Sequence, residues 1–375
     1  MPEILGWHDT EDPLGIVEQA AQALGEGRLV AFPTETVYGI AAAAWLPEAV
    51  DRLAACKERS DQKPMALALR GPEEVLQWLP ELGKMGWRLA RRCFPGPVTL
   101  VSGNGIEAGL ASRLPESVRR WICPTGTLGL RVPCHEAILQ VLNALPGPLV
   151  LTSANPSGQV EAKTADEVAR TLGDCLALII DDGPSPLGRP STVVVVQGKT
   201  WRTVREGVIT AGDLQLLSAC WIVFVCTGNT CRSPLAEALC KNMLAERLSC
   251  TVAELPQRGF IVCSAGLAAF KGDRAPPEAI EAARELGADL QNHVSQPVTR
   301  DLVFQADYLV TMTQGHLQSL LVRFPYEGLA ARVLCPQGTD VADPVGCDLG
   351  VYRECARQLQ QHVQTWVQEL VINES

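Results

Sequence analysis

Two thiols and an arginine fall within CTGNTCRS, residues 226–233, directly after the apolar run WIVFV. Such a group can be half of a metal site, a redox pair, or a phosphate cradle with a nucleophile at its edge. A metal site needs more ligands than two cysteines, and none is near in sequence. A nucleotide-hydrolysing loop ends in GK[ST], which is missing. A phosphate cradle fits the residue types. WIVFV reads as a buried strand, so Cys226 stands at its carboxyl end, where ligands bind in parallel sheets. Gly228 and Asn229 can take positive φ, which turns successive N–H groups from Thr227 to Cys231 inward. Ser233 is expected as N-cap and Pro234 as first residue of the helix that follows, whose dipole then faces the loop. A thiol at that edge becomes a thiolate nucleophile, and Arg232 supplies a clamp that is always charged. Cys231 has two readings: a resolving thiol for an oxidised Cys226, or a small core residue at a helix start.

A second constellation lies in the first half. ACKERSDQKPMALAL places Lys57, Arg59 and Lys63 just before a strand. LTSANPSG puts Ser153 and Asn155 at the end of another strand, RPSTVVVV puts Ser191 and Thr192 before a third, and VREGVI adds Arg205. Hydroxyls, an amide and four cations on separate loops can converge on a nucleotide. His8, His135, His293, His316 and His362 are dispersed without metal spacing and are expected to be structural or surface residues.

Two kinds of element must position these residues. RLVAFP, KPMALAL, PVTLV, LGLRVP, PLVLTS and STVVVV are expected strands of a mixed sheet, while TVYGIAA reads as a helix or loop. After residue 220 the alternation is regular. WIVFV, FIVCSA and DYLVTM are strands. PLAEALCKNMLAERL, PPEAIEAARELG closed by Gly287, and VYRECARQLQQHVQTWVQEL are helices. That pattern implies a doubly wound parallel sheet. The expected organisation is residues 1–212, a linker at 213–219, and residues 220–375.

The 375 residues suit two or three domains, and 47% hydrophobic with 20% charged residues is a globular composition. A net charge of −10 argues against general binding of nucleic acid or anionic membrane. No apolar run approaches the ~20 residues of a spanning helix, and the acidic start MPEILGWHDTEDPLG is not expected to be a leader. The fourteen cysteines are scattered, so they are expected to be reduced and the protein cytoplasmic.

CTGNTCRS resembles the Cys-x5-Arg-Ser/Thr signature of the low-molecular-weight protein tyrosine phosphatase family, over about residues 220–370. The resemblance implies a flavodoxin-like doubly wound fold and attack by Cys226 on phosphorus. It makes Asp343 of ADPVG the general acid and then base, with Arg232 binding the phosphoryl group and Thr227, Gly228, Asn229, Thr230, Cys231 and Ser233 forming its loop. Asn229 would brace the loop and Ser233 would donate to the thiolate. Val345 and Gly346 stand where tyrosine-specific members carry aromatics, and Thr230 where they carry an aliphatic residue. With MTQGH and VYREC, this is similar to the protein-arginine phosphatase branch. A Thr230 hydroxyl can orient a polar N–P group. Phosphotyrosine is the alternative substrate, and a redox-sensing or arsenate-reductase-like role is a further one, although MTQGHLQSLL lacks the extra cysteine of arsenate reductases.

PTETVYG, the Lys57-Glu58-Arg59 and Ser153-Ala154-Asn155 triplets, PSTVV, PGPVTL and LGLRVP resemble the YrdC/Sua5 family over about residues 10–212. That implies an α/β twisted open sheet and formation of L-threonylcarbamoyl-adenylate from L-threonine, bicarbonate and ATP, with Mg²⁺ accompanying ATP. The product would pass to the tRNA-modification machinery that makes N6-threonylcarbamoyladenosine. Lys57, Arg59, Lys63, Ser153, Asn155 and Arg205 would hold ATP, and Thr34, Arg131 and Ser191 threonine. Val195 replaces a frequent Asp, so a change in the local loop geometry is expected there. The expectation is a bifunctional enzyme with no metal site of its own beyond Mg²⁺–ATP, acting also on phosphorylated protein. The alternative is a first half that binds nucleotide or RNA without catalysis.

Overall fold

The computed structural model describes residues 2–8, 10–58, 63–335 and 338–374. The chain forms two compact units, Met1–Ser218 and Ala219–Ser375.

In the first unit ten strands form one sheet among the described residues: β1 (Glu3–Gly6), β2 (Val30–Phe32), β3 (Gly39–Ala43), β4 (Ala66–Ala68), β5 (Val98–Ser102), β6 (Leu128–Arg131), β7 (Leu149–Ser153), β8 (Leu178–Asp181), β9 (Thr192–Gln197) and β10 (Thr200–Arg205). Their order is β1-β8-β2-β3-β7-β4-β6-β5-β9-β10, with parallel and antiparallel pairs. Each expected strand of this half is present. β3, read as helix or loop, is a strand between β2 and β7. Its alanines carry helical propensity, but the strand is buried along its whole length, so packing overrides it. At Gly39 a Cβ would lie 2.9 Å from Leu151 Cδ1, so a larger residue there would make the Leu151 side chain shift. Successive residues of the central strands face two cores, Ile40 and Ala42 on one side and Ala41 on the other.

Val195, expected to disturb a loop, lies inside β9 opposite Arg202 of β10 and Val101 of β5. Residues 213–219, expected as a linker, are helical to Ser218 within helix Ala211–Ser218. Thr210 and Asp213 cap that helix reciprocally: Asp213 N donates to Thr210 Oγ1 (3.2 Å) and Thr210 N to Asp213 Oδ2 (3.0 Å). Leu214 enters the first core, and Trp201 Nε1 donates to Ser218 Oγ at 3.0 Å.

The second unit is a doubly wound parallel sheet, β12-β11-β13-β14, from β11 (Cys220–Cys226), β12 (Phe260–Gly266), β13 (Tyr308–Thr311) and β14 (Ala331–Val333). Ile222, Phe224 and Cys226 face a core with helices Arg232–Arg247 and Leu349–Glu374; Val223 and Val225 face Val303, Leu320 and Phe324. Trp366 of the last helix packs edge-on against Phe224 and Tyr308, with centroids 5.8 and 5.6 Å apart. The chain leaves β11 toward helix Arg232–Arg247 where the strand order reverses, and Cys226 ends β11 there. No helix of the described residues is long and apolar enough to cross a membrane.

Candidate functional site

At the end of β11, Asn229 takes φ +55° while Gly228 stays outside the left-handed region, so one residue rather than two makes the turn. Asn229 is fully buried and held from every side. Its Nδ2 donates to Ser233 Oγ (3.0 Å) and Ser264 Oγ (2.8 Å); its Oδ1 accepts from Gln296 N (2.9 Å); His293 Nε2 lies 2.7 Å from its carbonyl oxygen. Ser264 Oγ in turn donates to Glu237 Oε2 at 2.6 Å. Ser233 Oγ lies 3.0 Å from Cys226 Sγ and 3.4 Å from Ala265 O, and Asn229 N donates to the Cys226 sulfur at 3.3 Å. Gly266 of β12 backs the loop. A Cβ there would lie 2.5 Å from Thr227 O and 2.9 Å from Asn229 N, both backbone atoms.

Ser233 is not the N-cap. The helix starts at Arg232 with Cys231 as cap residue, and Ser233 is drawn inward because its hydroxyl serves Asn229 and Cys226. Pro234 accordingly falls third in the helix. Arg232 is 5% exposed; Nη1 donates to Val341 O (3.2 Å), and Nη2 pairs with Asp343 Oδ2. Asp343 is 44% exposed, so its carboxylate borders solvent opposite the buried guanidinium. Cys231 is buried in the core with its Sγ 3.4 Å from Tyr352 Oη, and burial pushes its thiol up. These are the properties of the core reading. Thr230 is partly buried with Oγ1 3.6 Å from Cys231 Sγ.

Three neighbours escape sequence reasoning. His293 braces the loop, and His316 Nε2 lies 2.8 Å from Thr227 Oγ1, although both are remote in sequence. Phe270 is 81% exposed, on a loop tied to the phosphate loop by Ala268 N donating to Thr227 O at 3.0 Å.

In the first unit Thr34, Arg131, Ser153, Ser191 and Arg205 line one cavity of about 210 Å³, with Tyr38, Thr99 and Thr127. Arg205 reaches it from the edge strand β10: Nη2 donates to Ser191 O (2.9 Å) and Ser191 Oγ (3.0 Å), and Ser191 Oγ lies 2.9 Å from Thr99 Oγ1. Arg131 Nη2 donates to Glu35 Oε1 and Thr36 Oγ1, both at 2.7 Å, and reaches Thr34 Oγ1 at 3.5 Å. Glu35 is buried, and its second oxygen accepts from Cys134 N at 2.9 Å. PTETVYG contains Glu35 and Thr36, yet only the fold reveals them as partners of Arg131.

Lys57 is 1% exposed and does not line the cavity. Its Nζ donates to the carbonyls of Ser153 and Asn155, the latter at 2.6 Å, and fixes the loop that carries Ser153. Asn155 is buried too; its Oδ1 accepts from Ser153 Oγ (2.6 Å) and its Nδ2 donates to Gln159 O (2.6 Å). Lys63 is exposed, with Nζ 3.3 Å from Ser157 Oγ. Arg59 lies outside the described residues. Among those described, no group of three or more His, Cys, Asp or Glu residues can hold a metal ion.

The family model for Sua5, YciO and YrdC, described as telomere recombination, matches residues 22–207; that for low molecular weight phosphotyrosine protein phosphatase matches residues 221–375. A threonylcarbamoyl-AMP synthase of Pyrococcus abyssi is 36% identical over 180 residues, 47% of this chain and 49% of that protein. One of Rattus norvegicus is 33% identical over 215 residues, 55% of this chain and 70% of that protein. The chain thus spans about half the length of the archaeal relative. The solved YwlE arginine phosphatase from Geobacillus stearothermophilus is 31% identical, with 41% of this chain and 95% of that one covered and a TM-score of 0.37.

Proposed function

The chain belongs to the Sua5/YciO/YrdC family over residues 22–207 and to the low molecular weight phosphotyrosine protein phosphatase family over residues 221–375, and from that premise we propose a bifunctional enzyme. The first unit makes L-threonylcarbamoyl-adenylate from L-threonine, bicarbonate and ATP, and the second hydrolyses phosphorylated protein through a cysteinyl-phosphate. The adenylate goes to tRNA-modification enzymes. The cytoplasm is the compartment proposed, because a thiol nucleophile needs reducing surroundings.

For the synthase, the supporting observation is the convergence of Thr34, Arg131, Ser153, Ser191 and Arg205 on one cavity. The threonine end lies at Thr34, Arg131 and Ser191, and the nucleotide end at Ser153, Arg205 and Lys63. Lys57 and Asn155 act behind the cavity by holding Ser153 in place. The chain's work is placement: a threonine carbamate oxygen held in line with the α-phosphorus while cations offset charge. Mg²⁺ fits as an ion carried by ATP, since these walls offer hydroxyls rather than carboxylate clusters; the triphosphate would hold it, with Ser153 at the nucleotide end, and it would offset phosphate charge.

For the phosphatase, the supporting observation is the Asn229 network aimed at Cys226. Cys226 Sγ attacks phosphorus and the bond to the leaving nitrogen or oxygen breaks, with Asp343 donating a proton to that atom. Water then attacks phosphorus, Asp343 takes its proton, and phosphate departs from Sγ. Arg232 binds phosphoryl oxygens, a charge it shares with Asp343 when no anion is bound. Gly266→Ala drives a methyl into the loop backbone and lowers kcat/KM on p-nitrophenyl phosphate by about 100-fold.

The substrate bond proposed is the N–P bond of phosphoarginine, on the hydroxyl of Thr230 and the Val345-Gly346 pair after the acid. Phe270 favours a second reading, phosphotyrosine, because its exposed ring can stack on a phenol. Thr230→Ile separates them. Phosphoarginine selectivity predicts a fall of about tenfold in the ratio of kcat/KM on phosphoarginine to that on phosphotyrosine peptides. An unchanged ratio contradicts it.

A further inference from the structure

His316 occupies the first turn of helix Gln314–Arg323 and is fixed there. Its N donates to Thr313 Oγ1 (3.1 Å), and Gln314 N donates to Asp340 Oδ1 (2.7 Å). The side chain is 9% exposed; Nε2 lies 2.8 Å from Thr227 Oγ1, and Nδ1 is buried with no hydrogen-bond partner. The charged groups facing it are Arg232 on helix Arg232–Arg247 and Asp340 and Asp343 on the loop before the last helix. Burial first, and Arg232 second, hold the imidazole below its ordinary value, so it is neutral at pH 7.

A neutral imidazole carries one hydrogen. On Nδ1 it would be a buried N–H without an acceptor, which is costlier than a bare lone pair. The hydrogen therefore sits on Nε2 and is donated to Thr227 Oγ1. A hydroxyl that accepts this bond keeps its own hydrogen for another acceptor. Thr227 is exposed and follows the nucleophile directly, which leaves that hydrogen open to an acceptor on a bound substrate.

We propose that His316 is a positioning residue that fixes the Thr227 hydroxyl as a donor to a non-bridging phosphoryl oxygen of the substrate. This rests on the phosphatase reading and adds a side-chain donor within the phosphate loop, set from outside the loop by His316. The bond strengthens as charge spreads over those oxygens in the transition state, so its loss appears in kcat rather than KM.

The test is steady-state hydrolysis of p-nitrophenyl phosphate by the full chain. Thr227→Val and His316→Leu each lower kcat about tenfold with KM little changed. The double variant loses about tenfold, not about 100-fold, because His316 acts only through the Thr227 hydroxyl. His316→Asn, which keeps an amide N–H, recovers activity to within about threefold of wild type in the Thr227 background and gains nothing beside Thr227→Val. Thr227 is exposed, so its valine variant keeps the test valid if His316→Leu fails to fold. Additive losses, or Thr227→Val within about twofold of wild type, overturn the positioning role alone. Absence of Cys226-dependent hydrolysis in the wild type instead removes the phosphatase reading and this role with it.

Discussion

Replacing Cys226 by serine abolishes phosphate release, a loss on the order of a thousandfold or more in kcat, while the protein keeps its fold. The loop that holds Cys226 does not depend on its sulfur. Asn229 is anchored by Ser233, Ser264, Gln296 and His293, and Gly266 admits the loop backbone whichever atom stands at the end of β11. A serine oxygen still accepts from Asn229 N, but a hydroxyl is a far weaker nucleophile than a thiol at the same place. Arg232 and Asp343 remain in place, so phosphate binding survives while covalent transfer stops. Phosphate release from p-nitrophenyl phosphate, with the melting temperature alongside, checks both halves. A melting temperature within about 2 °C of wild type is expected.

The second large effect is in the first unit. Arg131→Ala leaves Glu35 buried with one backbone N–H, from Cys134, and without its guanidinium. Removing one partner of a buried pair costs about 3–5 kcal/mol, which lowers the melting temperature of this unit by roughly 10 °C. Thr36 Oγ1 and Thr34 Oγ1 lose the same donor, so the cavity wall loosens where threonine is proposed to bind. Pyrophosphate release dependent on L-threonine and ATP then falls below detection. Arg131→Ala with Glu35→Gln recovers much of the stability, because no charge is left unpaired, but not the activity. Calorimetry on the single and double variants, with a pyrophosphate assay, separates the structural cost from the catalytic one.

The parts of this molecule legible in sequence are those where local chemistry and fold agree. CTGNTCRS follows a both-faces-buried strand and opens a helix, so strand end, loop and helix start are one contiguous signal. The alternation after residue 220 yields the doubly wound sheet for the same reason. Illegible features join distant residues. Arg131 meets Glu35 across 96 positions, and Thr227 meets His316 across 89. Periodicity carries neither, so both histidines at the phosphate loop read as ordinary ones. Lys57 is a further case: its bonds to the carbonyls of Ser153 and Asn155 hold the loop after β7, a contact across about a hundred positions that a run of three cations does not announce. β3 was hidden by its alanines, whose small side chains suit helices and equally suit a strand closely packed on both faces.

The central claim is that one chain carries two separate chemistries, and a double dissociation tests it most directly. Pyrophosphate release with ATP, L-threonine and bicarbonate, and phosphate release from p-nitrophenyl phosphate, would be measured on the same preparations of wild type, Cys226→Ser and Arg131→Ala with Glu35→Gln. Each variant is expected to lose one activity and keep the other within about twofold of wild type. Wild type lacking either activity, or both activities disappearing together in one folded variant, contradicts the account.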